Sequence, residues 1–433
     1  MQQTGLTWVG AAKIASMPTA CASSSVNDAF FAPIANLAET SRHARPCPEI
    51  SDAQWIRAGI QRVLEDVPSG RAFLQEHGLR FAQPPKVSNY FSSLQSERRA
   101  AVLQDVIDGV LGQVVAGGMN RLGHIPELER YVCFAVDMHW HKAASHDEPY
   151  DGRKAAVGHC FSLQLHDQSV RHLAVGEGQH EHDMSVLQRL TPQGLRQGVP
   201  KGRRVLVIYD RAGVDLRFWK RCRHENAVYF LSRAKLNMIF EWAEERPWDP
   251  QDSRNHGVHH DQWVVSREGH RLRLIEYQDA ESGREFMFLT NEPDLPPGVL
   301  AELYRRRWEV EKVFDEIKNK LGERKAWASS QEARIVQGRF VSLTYNLVAL
   351  YQRRIEKEHD IHNGPEELRR KQRMATLEEI STAAGRTLSS LLRKGRAATQ
   401  RSVKFIRWLR ASLRDRLAEE AAVARLRHLY ATW

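Results

Sequence analysis

Two short apolar runs constrain this chain more than any other feature. Tyr131–Val136 (YVCFAV) and Arg204–Tyr209 (RVLVIY) are each followed directly by an aspartate, Asp137 and Asp210. Mostly apolar runs of this length read as strands buried on both faces. Further strand-like runs lie near Ala156–Leu165, Val170–Val175 and Ala227–Leu231, with helical stretches over Met184–Leu190 and from Gly213 to Arg223. This alternation predicts an α/β sheet with acids at the ends of its strands. Each acid also has an ordinary reading, Asp137 as a turn residue and Asp210 as a helix cap, with Asp215 a surface acid.

A second constraint is Leu303–Leu321 (LYRRRWEVEKVFDEIKNKL). At about 100° per residue, Tyr304, Arg307, Glu311 and Lys318 fall in a helical sector roughly 60° wide. Leu303, Val310, Phe314, Ile317 and Leu321 form a separate stripe that docks the helix on a core. Read alone, this is an exposed helix in which Arg307 and Glu311 make an i,i+4 pair worth about a few tenths of a kcal/mol. Read with the two aspartates, Glu311 is a third carboxylate for one sheet edge. Glu309 and Glu316 point well away from the sector. Asp315 lies within about 40° of Glu311, and the wheel does not separate those two.

The 433 residues suggest two or three domains. Residues 1–45, rich in Ala, Ser and Thr, are expected to be poorly ordered. Residues 46–126 read as helical, with Ser51-Asp52 as a cap and patterns over 70–77 and 96–116. The sheet unit spans 127–328. Within it, from about 232 to 297, Gln262–Val265, Arg271–Tyr277 and Glu285–Leu289 read as a β-rich insertion closed by Pro296-Pro297-Gly298. Residues 329–433 return to helix, with an amphipathic stretch over Glu332–Lys357 and a basic remainder.

Net charge is +10, and Ile361–Trp433 alone holds 16 Lys/Arg against 7 Asp/Glu. That balance favours a polyanionic partner, nucleic acid first. Five widely spaced cysteines without C-x-x-C indicate neither a disulfide framework nor a zinc ribbon, and a reducing cytosol is the simplest compartment. No apolar run approaches the length of a membrane span, and no signal peptide is expected. Three carboxylates at one edge suit Mg²⁺ or Mn²⁺. Two such ions sharing a carboxylate serve phosphodiester displacement. Histidines offer a rival, a zinc hydrolase: His139, His141 and His146 follow Asp137, His180 and His182 sit close together, and so do His256, His259 and His260. The absence of H-E-x-x-H favours solvated or phosphate-contacting histidines instead.

Tyr304-x₂-Arg307-x₃-Glu311-x₆-Lys318 resembles the Tyr-Arg-Glu-Lys motif of bacterial insertion-sequence DDE transposases, and flanking Trp308 and Phe314 are similar too. VDMHWH around Asp137 resembles the first-acid region, VIYDRAGVD around Asp210 the second, and Phe288–Asn291 (FLTN) the end of the insertion before the third. The resemblance covers about 130–325, the C-terminal helices loosely and the N-terminal region hardly at all. It implies an α/β, ribonuclease H-like catalytic domain with a β-rich insertion, flanked by helical N- and C-terminal regions. It implies Asp137, Asp210 and Glu311 as catalytic ligands of two Mg²⁺ ions, with Mn²⁺ as a substitute, and it selects Glu311 over Asp315. Tyr304, Arg307 and Lys318 would contact DNA phosphates. Trp263 is a candidate, by position in the insertion, for holding a flipped base, although a core tryptophan is the commoner reading. Met138 departs from the small residue expected after the first acid.

The implied activity is cut-and-paste transposition: cleavage at terminal inverted repeats and joining of 3′-OH ends to target DNA. The alternatives are a metal-dependent nuclease without strand transfer and a DNA-binding protein that has lost catalysis. The expected partner is double-stranded DNA, both transposon ends and target, bound by a homodimer in the cytoplasm at the nucleoid, with no membrane partner. The helices of 46–126 are a possible DNA-end-binding region, and the basic tail is a surface for DNA or for dimerisation.

Overall fold

Cys133 and Ala135 enter one apolar core, and Val132, Phe134 and Val136 enter another. That is the two-residue period of a strand covered on both faces. The computed structural model describes residues 25–361 and 401–431, apart from 48, 66, 68, 81–85, 145–146, 149–155, 177–180, 182, 236, 280–282, 318–320 and 322–324; of 362–400 it describes a few isolated positions. The strand is β1 (Tyr131–Lys142), in a nine-stranded sheet with β2 (Ala156–Gln164), β3 (Val170–Val175), β4 (Arg204–Ile208), β5 (Val228–Arg233), β6 (Phe240–Glu245), β7 (Val258–Ser266), β8 (Arg271–Gln278) and β9 (Glu285–Thr290). The order is β3-β2-β1-β4-β5-β9-β8-β7-β6. β4 runs parallel to both β1 and β5, and the other pairings are antiparallel.

The insertion is therefore no separate unit, because β9 pairs with β5 and extends the same sheet. β6 was not legible: FEWAEE carries three glutamates and no clean alternation, and pairing with β7 alone makes it an edge strand.

Helices cover both faces. On the first core lie α1 (Val26–Glu39), α2 (Asp52–Leu64), α3 (Gly70–Arg80), α4 (Val87–Ser93) and α5 (Glu97–Ala116). The second face carries α6 (Asp183–Arg189), α7 (Pro192–Leu195) and α8 (Leu216–Asn226). α9 (Pro297–Arg306), α10 (Trp308–Asp315), α11 (Gln331–Glu358), α12 (Arg401–Asp415) and α13 (Glu419–Ala431) return to the first core. α11 is fixed under the sheet edge by buried Asn346, which accepts from the Val170 N–H at 2.9 Å and donates to its carbonyl at 2.8 Å.

Two expectations change. Part of residues 1–45 is ordered: α1 buries Val26, Phe30, Phe31 and Ile34, and Ser25 caps it. The C-terminal helices are not a detachable basic tail either. α12 buries Phe405, Trp408 and Leu409, with the Trp408 ring stacked 6.3 Å from Tyr351 of α11. Most of the basic residues 362–400 lie outside the described residues.

The chain is delivered to α9 by a buried ionic clamp. Arg273, fully buried on β8, donates to both oxygens of Asp261 at 2.7 and 2.6 Å and to the Leu295 carbonyl at 2.6 Å. Buried Glu292 accepts from the Tyr131 hydroxyl at 2.6 Å and from the Asp294 and Leu295 N–H groups at 2.8 Å. Truncating one partner leaves a buried charge uncompensated, which costs about 3–5 kcal/mol. Asp261→Ala is expected to lower unfolding stability by that amount in urea titrations. A loss below about 1 kcal/mol would show that the clamp does not hold this loop.

Candidate active site

β4 stops at Ile208, which pairs with Ala135 of β1. Asp210 and Asp137 each lie two residues beyond that pair, Asp137 still on β1 and Asp210 in the turn that follows β4. Asp137 is thus not at the end of its strand, as expected, but inside it. β1 continues to Lys142 against β2, and Asp137 emerges because its parallel neighbour has ended. Asp210 caps the following turn, accepting from the Ala212 N–H at 2.8 Å, while its carbonyl accepts from the Ser232 hydroxyl at 2.8 Å. Asp215 caps α8 through the Phe218 N–H at 2.8 Å. The ordinary reading of Asp210, as a cap, is therefore seen in the structure.

The third acid arrives on α10, which packs over β1 with Val310 and Val313 buried. The single helix expected over Leu303–Leu321 is interrupted at Arg307. The Arg307 N–H donates to the Tyr304 carbonyl, and the Val310 N–H donates to the Arg307 carbonyl, both i→i−3. The backbone stays right-handed there (φ −51°, ψ −35°), so Tyr304, Arg307 and Glu311 keep one side.

Arg307 is buried and bridges the acids. One guanidinium nitrogen lies 3.3 Å from Asp137 Oδ2 and another 3.0 Å from Glu311 Oε1. Burial pushes the Asp137 carboxyl up to about 6. The Met138 N–H and Arg307 oppose that rise, and the charges of Asp210 and Glu311 add to it. Three carboxylates thus act on one spot with a single arginine among them.

Tyr304 is largely buried, with its ring 4.9 Å from Phe288 and Arg307 above it. It braces Arg307. Lys318 lies outside the described residues. Trp263 is not brought to the acids: β7 is four strands from β4, roughly 19 Å at 4.8 Å per strand. Its half-buried ring lies between Arg246 and Arg271, at 4.7 and 4.8 Å. Met138 is accommodated by Gly158 on β2, where an added Cβ would stand 2.8 Å from the methionine methyl.

The histidines depart most from expectation. His139, His141 and His159 are buried, not solvated. They form a row with His172: ring centroids are 6.1 Å apart for His139–His141, 4.7 Å for His141–His159 and 5.2 Å for His159–His172. His172 Nε2 lies 3.1 Å from His159 Nδ1, and Gly338 of α11 leaves the room its ring occupies. Burial holds His141 and His172 down at about 3 and His159 well below its usual range. The strand register (His139 opposite His159) assembles this row; no helical spacing signals it. His146, His180 and His182 lie outside the described residues, and His256, His259 and His260 are exposed.

The acids offer hard oxygen donors only, which suits a divalent cation of the Mg²⁺ class. Asp137, held up and facing two like charges, is a carboxyl short of positive charge. Among the described residues only Glu358, His359 and Glu419 bring three ligand atoms within 4.8 Å of one another, and there Arg354 already pairs with both glutamates. The sheet-edge acids instead stand apart around Arg307. No described helix is long and apolar enough to cross a membrane.

Residues 131–347, half of the 433-residue chain, match the family model described as "Transposase DDE domain". No curated protein matches the sequence. A solved structure of Aquifex aeolicus Argonaute aligns over 48% of this chain and 28% of that chain, at 12% identity and a TM-score of 0.21.

Proposed function

Because the chain belongs to the transposase family defined by the DDE domain, we propose that it is a cut-and-paste DNA transposase whose acids are Asp137, Asp210 and Glu311. One observation carries the assignment: buried Arg307 bridges Asp137 and Glu311, while Asp137 and Asp210 each lie two residues beyond the paired Ala135 and Ile208 of adjacent parallel strands. The run β3-β2-β1-β4-β5, with β2 reversed, supports a ribonuclease H-like reading of the catalytic sheet.

Two divalent cations, Mg²⁺ by donor chemistry, would be held by these three acids and would stabilise the charge that develops on the attacking and leaving oxygens. The chain's own residues then position DNA. Arg307 is a fork held by Tyr304 at the acids' edge. Once the acids are otherwise neutralised, its two outer nitrogens are free to hold a phosphate at the scissile strand, which fixes register without reading sequence. Lys318, by resemblance, would contribute a further point charge. A homodimer would present two such sites to two ends.

The direct test is a duplex carrying the element's terminal repeat, incubated with purified chain and Mg²⁺. A nick leaving a 3′-OH at the repeat boundary, abolished by chelation, is expected; cleavage indifferent to chelation would contradict the proposal. Arg307 gives a further prediction. Arg307→Ala removes the cation that stands between two of the acids, so Mn²⁺ binding to the DNA-free chain should tighten about tenfold in calorimetry, while cleavage is lost. Unchanged Mn²⁺ affinity would show that Arg307 does not compete for these acids.

A further inference from the structure

α8 turns a wholly basic stripe to solvent. Arg217, Lys220, Arg221 and His224 stand at i, i+3, i+4 and i+7, within a helical sector roughly 100° wide. Phe218, Trp219 and Cys222 occupy the opposite side and are buried in the second core against β4 and β5. The four basic residues line one shallow hollow with Glu268 and His270 of the β7–β8 turn. Among the described residues, the only ion pair from the stripe is Arg217 to Glu268, at 3.3 Å and exposed on both sides. Such a pair is worth about 0–1 kcal/mol and exchanges readily.

An ordinary surface helix mixes signs at these spacings, because like charges three and four residues apart repel by about a few tenths of a kcal/mol per pair. This helix accepts that cost twice, in Arg217/Arg221 and Arg217/Lys220. Neighbouring Arg223 lies over Tyr229, off the stripe. The one acid of the helix, Glu225, falls outside the sector.

We infer that the outward face of α8 is a second DNA-contact surface, holding backbone phosphates of a duplex on the side of the sheet opposite α10. The inference rests on the proposal that DNA is the substrate. The two faces are distinct: α10 is buried in the first core and α8 in the second. A duplex held by Arg307 at the acids and one held by α8 are therefore different segments, as an enzyme handling an end and a target requires. Seven residues of helix span about 10 Å, which laid along the duplex axis covers the rise of about three phosphates of one strand, at about 3.4 Å of axis each. The contacts are charges without a planar reading edge, so the surface takes DNA regardless of sequence.

The test is fluorescence anisotropy of the full chain with a duplex of arbitrary sequence over a range of KCl concentrations. Each phosphate neutralised contributes about 0.9 to the slope of log K against log salt. The combined variant Arg217→Gln, Lys220→Gln, Arg221→Gln should flatten the slope by about 2.7, with its melting temperature unchanged. Arg217→Lys with Arg221→Lys should keep the wild-type slope. In parallel, Glu311→Gln should lose cleavage and keep the slope, which separates this surface from the acid site. A slope change below about 1 in the Gln variant overturns the inference while leaving the acid site intact. Wild-type protein that binds no DNA overturns both.

Discussion

Glu311→Gln should leave a chain that binds terminal-repeat DNA as the wild type does and cleaves it at least about 10³-fold more slowly. The substitution keeps shape and removes one charge and one anionic oxygen. A divalent cation contributes several kcal/mol of charge stabilisation in phosphoryl chemistry, and each 1.4 kcal/mol is about tenfold in rate. Binding is expected to survive because the proposal assigns the phosphate contacts to cationic side chains. Asp315→Asn is the companion variant. Asp315 is exposed, whereas Glu311 acts on Asp137 directly and through Arg307. Asp315→Asn is therefore expected to cleave normally. Persistent cleavage by Glu311→Gln, with loss in Asp315→Asn, would move the third acid to Asp315.

The second large effect is acid instability of the metal-free protein. His141 and His172 are held at about 3, and His159 well below its usual range, by burial without a carboxylate partner and with Arg334 and Arg339 nearby. In the unfolded chain each titrates near 6.5. Below that pH the unfolded state binds more protons than the folded one, so stability falls as pH falls from about 6.5 toward 3. Each histidine contributes about 1.4 kcal/mol per pH unit. Asp137 works the other way: raised to about 6, it favours the folded state as pH drops through that value, and it offsets about one histidine. The net expectation is roughly 3 kcal/mol lost per pH unit below 6. Chemical melts in chelator at pH 7, 6 and 5 measure it. His141→Phe should flatten the dependence by about one proton, and a midpoint constant from pH 7 to 5 would show that these rings are not neutral in the folded chain.

The strands that flank the acids were legible because their residues are apolar on both faces, and β3 matches its expected bounds, Val170–Val175. The helical wheel of Tyr304, Arg307 and Glu311 was legible for the same kind of reason, since spacing fixes a face whatever the tertiary setting. What spacing could not supply is register. The approach of Asp210 to Asp137, the reach of Arg307 to Asp137, and the histidine row all depend on which residue sits opposite which across the sheet. β6 was hidden because an edge strand needs no apolar alternation. α1 was hidden because Ala- and Ser-rich flanks masked Phe30, Phe31 and Ile34, which find their partners in α2, α5 and α12, distant in sequence. The packing of α12 also means that deleting everything past residue 364 would open the core and report on folding as much as on DNA.

Strand transfer is the most direct measure of the central claim. Purified full-length chain is mixed with Mg²⁺, a pre-cleaved terminal-repeat duplex ending in a 3′-OH, and a supercoiled plasmid. The proposal predicts covalent joining of the labelled end to the plasmid, absent when Asp137, Asp210 or Glu311 is replaced by its amide. Plasmid cut without any joined label would contradict it and leave a metal-dependent nuclease.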